Sequence, residues 1–205
     1  MSTVEPIRFL PPESPEDTAR ADFYALIATL FYAPPSAGLL AAVAEADEIH
    51  GEDDSVPLAQ AWGALQAACA ASDEEAVQQE YDELLVGVGK AVVPPYIAAH
   101  AEKSGVDALL VELRAFLAER SLGRQASINE PEDHLAALCE VMRHLIAVDR
   151  AEIAEQREFF ERFMLPGALP LCAAIEAADT ANFYKRVARF TAAFFELERK
   201  AFEME

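Results

Sequence analysis

The chain has 205 residues, 36 acidic against 16 basic, a formal net charge of -20 and 53% hydrophobic residues. That length suffices to bury a substantial core in one domain. Charge of this sign repels phosphate backbones and anionic bilayers, which argues against nucleic acid as a partner; it either draws in cationic peptides by long-range attraction or serves only solubility.

Alanine dominates the apolar share, which suits closely packed helices and predicts an all-α protein. Cys69, Cys139 and Cys172 are far apart and form no C-x-x-C pair, so no disulfide framework is expected. The opening residues, MSTVEPIRFLPPESPED, have no basic region leading into an apolar stretch, and no run approaches the length of a membrane span. A cytoplasmic protein without stable membrane insertion is expected.

In chain order, Ser14, Pro15, Glu16 and Asp17 form a helix start: a hydroxyl cap, a first-turn proline and carboxylates at the positive end of the dipole. Phe23, Leu26, Ile27, Leu30 and Phe31 recur at helical spacing until Pro34 and Pro35 stop the segment. A short helix follows over 36–48. After the polar loop 50–57, Leu58, Trp62, Leu65 and Cys69 share one face, which predicts a core position for Trp62. Ser72 with Glu75 matches a capping box, and the helix it opens, with Val77, Tyr81, Leu84 and Leu85 as its stripe, fails near Gly87.

GVGKAVVPPY, 87–96, has too many breakers for a helix and too few polar residues for an exposed linker, so it is expected to lie against other structure. A helix over 106–122 ends at Gly123. A polar connector leads to EPEDHLA, and from Pro131 the positions Leu135, Leu138, Cys139, Met142, Leu145 and Ile146 trace an amphipathic helix. Shorter helices are predicted over 152–163 and 170–178, and a long one over 180–202. No strand is predicted.

The four histidines offer no i, i+4 pair, and His134 and His144 are roughly 15 Å apart along one helix, so no metal site is expected. Gly87-Val88-Gly89-Lys90 is not a phosphate loop, because Leu84 and Ala91 stand where that motif needs glycine and a hydroxyl. The segment Pro131–His134 reads first as a structural helix start, with Pro131 in the first turn, Glu132 and Asp133 on the dipole and His134 bonded to nearby backbone. An Asp133/His134 acid–base pair is the enzymatic alternative, although adjacent helical residues point about 100° apart.

Two blocks carry more together than either alone: EYDELLVGVG (80–89) with PPYIAAH (94–100), and EPEDHLA (130–136). With YALIATLFYAPP (24–35) and FYKRVARFTAAFFELE (183–198) in order, the chain resembles the TorD/DmsD family of cytoplasmic redox enzyme maturation chaperones. Leu85 stands where that family often has an aromatic residue, and Ile97-Ala98 replace its usual polar pair. The resemblance implies a compact single-domain helical bundle of about ten helices, with subdomains 14–122 and 130–205 about a hinge at 123–129.

It also implies a binding protein without catalysis, a cofactor or a metal, whose partners are the twin-arginine signal peptide and the apo form of a molybdoenzyme catalytic subunit. Glu130, Glu132 and Asp133 would supply charge to the paired guanidinium groups. Tyr81, Leu84, Leu85, Pro95 and Tyr96 would offer apolar surface, although Tyr81, on one stripe with Val77 and Leu84, fits a core position equally well, and His134 would orient or hydrogen-bond. A NarJ-type nitrate reductase assembly chaperone is the nearest alternative, and the E-P-x-D-H element favours the TorD/DmsD side. A monomer and a swapped homodimer are both compatible with the hinge.

Overall fold

The computed structural model describes residues 14–50, 55–87, 89–101, 106–123 and 131–204. The predicted helix start at Ser14 is present. Its Oγ accepts from Asp17 N–H at 2.9 Å and opens α1, Pro15–Tyr32, with the proline in its first turn. Tyr24, Ile27, Leu30 and Phe31 are buried along α1. The helix stops because Ala33 precedes Pro34 and is forced extended, with φ -150° and ψ 159°.

Ser36 caps α2, Ala37–Ala44. The helix is shorter than the predicted 36–48 because α3, Val56–Ala71, takes over the next carbonyls: Gln66 Nε2 donates to Ala46 O at 2.6 Å and Trp62 Nε1 to Asp47 O at 2.9 Å. The Trp62 ring is core, packed on Phe23 and Phe190. The next helix, α4, Glu74–Tyr81, is capped by Asp73 rather than by the expected Ser72, which instead closes α3; the Asp73 carboxylate reaches Ala76 N–H at 3.0 Å. The chain then widens into a π turn, Asp82–Val86, and leaves the helix at Gly87. Gly87 has φ 69°, and a β-carbon there would lie 2.1 Å from Lys90 O, so only glycine fits.

The loop beyond it does lie against other structure: Val93, Ile97 and Ala98 are buried, and Ile97–Ala99 form a single 3-10 turn. Helix α5, Val106–Glu119, ends before the predicted Gly123. Ser121, at φ 55°, takes the left-handed position and Leu122 N–H returns to Leu117 O at 2.9 Å. The polar connector 124–130, with most of the expected hinge, lies outside the described residues.

Helix α6 is Leu135–Ala147, α7 is Ile153–Phe159, and α8 is Leu165–Ala177, entered through a second π turn at Phe160–Met164. Pro170, expected to open a helix, sits inside α8, where Pro166 already occupies the first turn. The last helix, α9, Phe183–Met204, starts after the predicted residue 180 because its cap comes from elsewhere in the chain. Glu80 on α4 accepts from the N–H groups of Asn182, Phe183 and Tyr184 at 2.7, 2.9 and 2.8 Å. A carboxylate there satisfies orphaned donors and the positive end of the dipole together.

The protein is all-α; among the described residues the one β feature is an isolated antiparallel bridge between Tyr96 and His134. Helix α1 packs along α6, α3 and α8 pack on α9, and one continuous core joins them. Within it Tyr24, Trp62, Phe190 and Phe194, with the partly buried Phe23 packed on them, meet edge to face or tilted, in contacts worth about 0.5–1.5 kcal/mol each beyond area burial. Among the described residues no helix is long and apolar enough to cross a membrane.

Candidate functional site: a groove between α1, α5 and α6

The bridge between Tyr96 and His134 unites the two motifs the sequence singles out. Ile97 N–H donates to Asp133 O and Leu135 N–H to Pro95 O, both at 2.9 Å, so the proline-tyrosine loop and the E-P-x-D-H segment form a two-rung clamp. The Tyr96 and His134 rings meet edge to face, with centroids 5.4 Å apart. His100 Nε2 bonds Pro94 O at 2.8 Å and holds the loop's far end.

The helix start differs from the predicted one. Pro131 is not a first-turn residue: α6 begins only at Leu135, and His134 is its cap, Nδ1 accepting from Ala136 N–H at 3.1 Å. An imidazole nitrogen that accepts from an amide is unprotonated, so the neutral ring carries its proton on Nε2.

Asp133 is buried, 3% exposed, and its carboxylate accepts from Ala98 N–H at 3.1 Å. Burial is the main cause that raises its pKa above the ordinary 3.8, with Glu132 adding to the shift and the Ala98 N–H and Arg114 opposing it. Asp133 and His134 are thus engaged by different backbone groups rather than by each other, and the acid–base pair of the enzymatic alternative is not formed.

The shift has a stability consequence with a definite sign. A carboxyl whose folded pKa lies above its unfolded value contributes stability that is fully present below about pH 3.8 and lost as pH rises through the folded pKa. Asp133→Asn keeps an acceptor for Ala98 N–H without the charge. Its stability relative to the wild type, followed by urea unfolding, should rise with pH from about 4 upward and then level off. Asp133→Ala orphans the amide and should cost about 1–3 kcal/mol at neutral pH. A difference between Asn and Asp that is flat in pH would show that the carboxyl does not titrate abnormally.

A groove of about 650 Å³ opens beside this clamp, between the end of α1, the end of α5 and α6. Its floor is apolar, with Ala28, Ala33, Leu117, Ala136, Ala137 and Val141, and the exposed Tyr32 ring stands at one side. Glu132 and Glu140 bring carboxylates to the wall, and His134, Arg143 and His144 complete the polar part.

Of the residues expected at the site, Glu132 and His134 line this groove. Asp133 is buried and does not line it, and Pro95 and Tyr96 hold the clamp. Tyr81, Leu84 and Leu85 belong to the core, and the Tyr81 hydroxyl donates to Tyr32 O at 2.8 Å, closing the end of α1. Glu130 lies outside the described residues.

Sequence reasoning missed Thr29, Tyr32, Glu140 and Val141. Tyr32 and Val141 sit off the buried stripes of their amphipathic helices, a signal that marks a large apolar side chain left for the surface.

No group of three or more His, Cys, Asp or Glu side chains converges as metal ligands among the described residues. The cysteines are unbridged and buried, and burial pushes the Cys69 thiol up to about 11, Cys172 up to about 12 and Cys139 well above its ordinary value. Neutral, enclosed thiols of this kind are poor nucleophiles.

Comparison with known proteins places this geometry in a family. The model described as nitrate reductase delta subunit matches residues 52–173, more than half of the chain. A protein named chaperone protein TorD from Shewanella pealeana is 28% identical over 130 residues, which cover 59% of this chain and 58% of that protein. The chain belongs to the nitrate reductase delta subunit family, that of the TorD/NarJ-like chaperones. The match spans less than two thirds of the relative's length.

Proposed function

We propose that this protein is a cytoplasmic chaperone that binds the twin-arginine signal peptide of a molybdenum-cofactor oxidoreductase subunit and assists that subunit's maturation and cofactor loading before export. The observation that carries the reading is the groove: an apolar channel with Glu132 and Glu140 on its wall, built on the E-P-x-D-H segment of a TorD/NarJ-like chain. A segment with paired arginines followed by an apolar, helix-prone stretch needs carboxylates beside an apolar trough. The net charge of -20 draws such a peptide in from a distance. Binding without turnover agrees with the engagement of Asp133 and His134 by backbone amides.

Calorimetric titration with a twin-arginine signal peptide, against the same peptide carrying alanines in place of both arginines, tests this. Each charge-assisted contact is worth about 1.5–3 kcal/mol, so the alanine peptide should bind roughly a hundredfold or more weakly. Equal affinity for the two would sink arginine recognition. The matching family model is described by a nitrate reductase subunit, which keeps the NarJ-type alternative in the same experiment. Preference for the amino-terminal segment of a nitrate reductase catalytic subunit over every twin-arginine peptide would favour it.

A further inference from the structure

We propose that Arg114 is a built-in competitor for the groove's cationic ligand, holding the Glu132 carboxylate until a guanidinium of the incoming peptide displaces it. The inference rests on the peptide-binding reading above and adds to it a residue that tunes occupancy.

Glu132 lines the groove and its side chain is only 17% exposed, whereas Arg114, reaching over from α5, is 57% exposed. The carboxylate is therefore fixed by its surroundings while its partner is loosely held. Arg114 Nε and Nη2 both converge on the single oxygen Oε2, at 3.2 and 3.0 Å, instead of forming the two-oxygen fork of the strongest arginine–carboxylate pairs. Pairs of this exposure are weak, because water and salt screen them and ordering a long side chain opposes them.

The pattern repeats along the wall. Glu140 is held by Arg143, again through two donors on one oxygen, at 2.9 and 2.8 Å, with both side chains partly exposed. A guanidinium arriving on an apolar segment replaces Arg114 on equal electrostatic terms and brings the burial of that segment in addition. A single basic side chain without the apolar segment has no such advantage, so the resident arginine acts as a threshold against nonspecific cationic peptides.

Titration of four variants with a peptide bearing two consecutive arginines and an apolar tail tests the exchange. Arg114→Gln should bind about two- to fivefold more tightly than the wild type at low salt, the gain shrinking as salt rises. Arg189→Gln makes the same change in net charge by releasing Glu176, away from the groove, and should leave affinity unaltered. Glu132→Gln should weaken binding, and removing Arg114 in that background should restore nothing.

Equal gains for Arg114→Gln and Arg189→Gln would reduce the effect to net charge and overturn the proposal. Weaker binding by Arg114→Gln would also overturn it, making Arg114 part of the site. In both of these cases a wild type that still prefers the arginine peptide leaves the chaperone reading standing. A wild type and variants that all fail to separate arginine from alanine peptides would remove both.

Discussion

Replacing Glu198 with alanine is expected to destabilise the fold by about 3–5 kcal/mol, because it leaves a guanidinium enclosed without its counter-charge. Glu198 on α9 is 3% exposed and takes Arg20 in a two-oxygen fork, Nε to Oε1 at 2.8 Å and Nη2 to Oε2 at 2.9 Å. Tyr24 adds its hydroxyl to Oε2 at 3.0 Å, and burial, with Glu198 next, pushes that phenol well above its ordinary pKa.

The same guanidinium donates to Gln156 Oε1 at 3.0 Å, and Gln156 Nε2 closes the network on Ala151 O at 2.9 Å. Three helices, α1, α7 and α9, are thus joined by one set of polar contacts. With Glu198 gone, the carboxylate that remains to Arg20 is Asp17, at 3.2 Å and 42% exposed, too well solvated to compensate.

Glu198→Gln retains an acceptor and should lose less. Arg20→Met with Glu198→Leu should return most of the stability, as buried ion pairs replaced by apolar groups often do. Urea unfolding of Arg20→Met, Glu198→Leu and the double closes the cycle. A loss under about 1 kcal/mol for Glu198→Ala would mean that water reaches the guanidinium and the pair is only a surface contact.

The contrast between this network and the helices around it shows what a sequence can disclose. Spacing finds α1, α3, α6 and α9, because a stripe such as Leu135, Leu138, Met142 and Leu145 follows from the helical period alone. Local caps such as Ser14 are equally legible, since donor and acceptor lie within one turn. Contacts between distant residues leave no such trace. The Glu80 carboxylate that opens α9 lies over a hundred positions away from the amides it satisfies, and neither segment announces the other.

The site divides in the same way. Glu132 and His134 are found because charge and motif coincide, but burial decides among neighbours one position apart and turns Asp133 inward. Tyr81 and Leu84 also fit the family pattern, yet they and Leu85 are buried in the core, Tyr81 against the end of α1 and the start of α9. One side of the groove comes from α1 residues such as Thr29 and Tyr32, which only the packing of α1 on α6 brings to the E-P-x-D-H segment.

Gly167→Ala is expected to cost about 3 kcal/mol, at the upper end of overpacking penalties, and to loosen the groove as well. Gly167 is buried in the first turns of α8 directly against the proline-tyrosine loop. A β-carbon there would fall 2.2 Å from Ile97 O and 2.7 Å from Ile97 Cγ2. A side chain could swing aside, but the carbonyl is fixed by the N–H groups of His100 and Ala101, both at 3.0 Å, so backbone must move.

The backbone in question is the clamp itself: Ile97 N–H holds Asp133 O and Ala98 N–H holds the Asp133 carboxylate. Displacing it weakens the support of His134, which lines the groove one residue further on. Gly167→Ala should therefore exchange the Ile97 and Ala98 amide hydrogens faster than the wild type under native conditions and, on the proposed function, lose affinity for the twin-arginine peptide beyond what global unfolding explains. If stability falls while those two amides exchange as before, α8 has yielded instead of the loop. The clamp would then be rigid independently of the helix beneath it, its two backbone rungs and the Asp133 carboxylate together keeping the groove's shape.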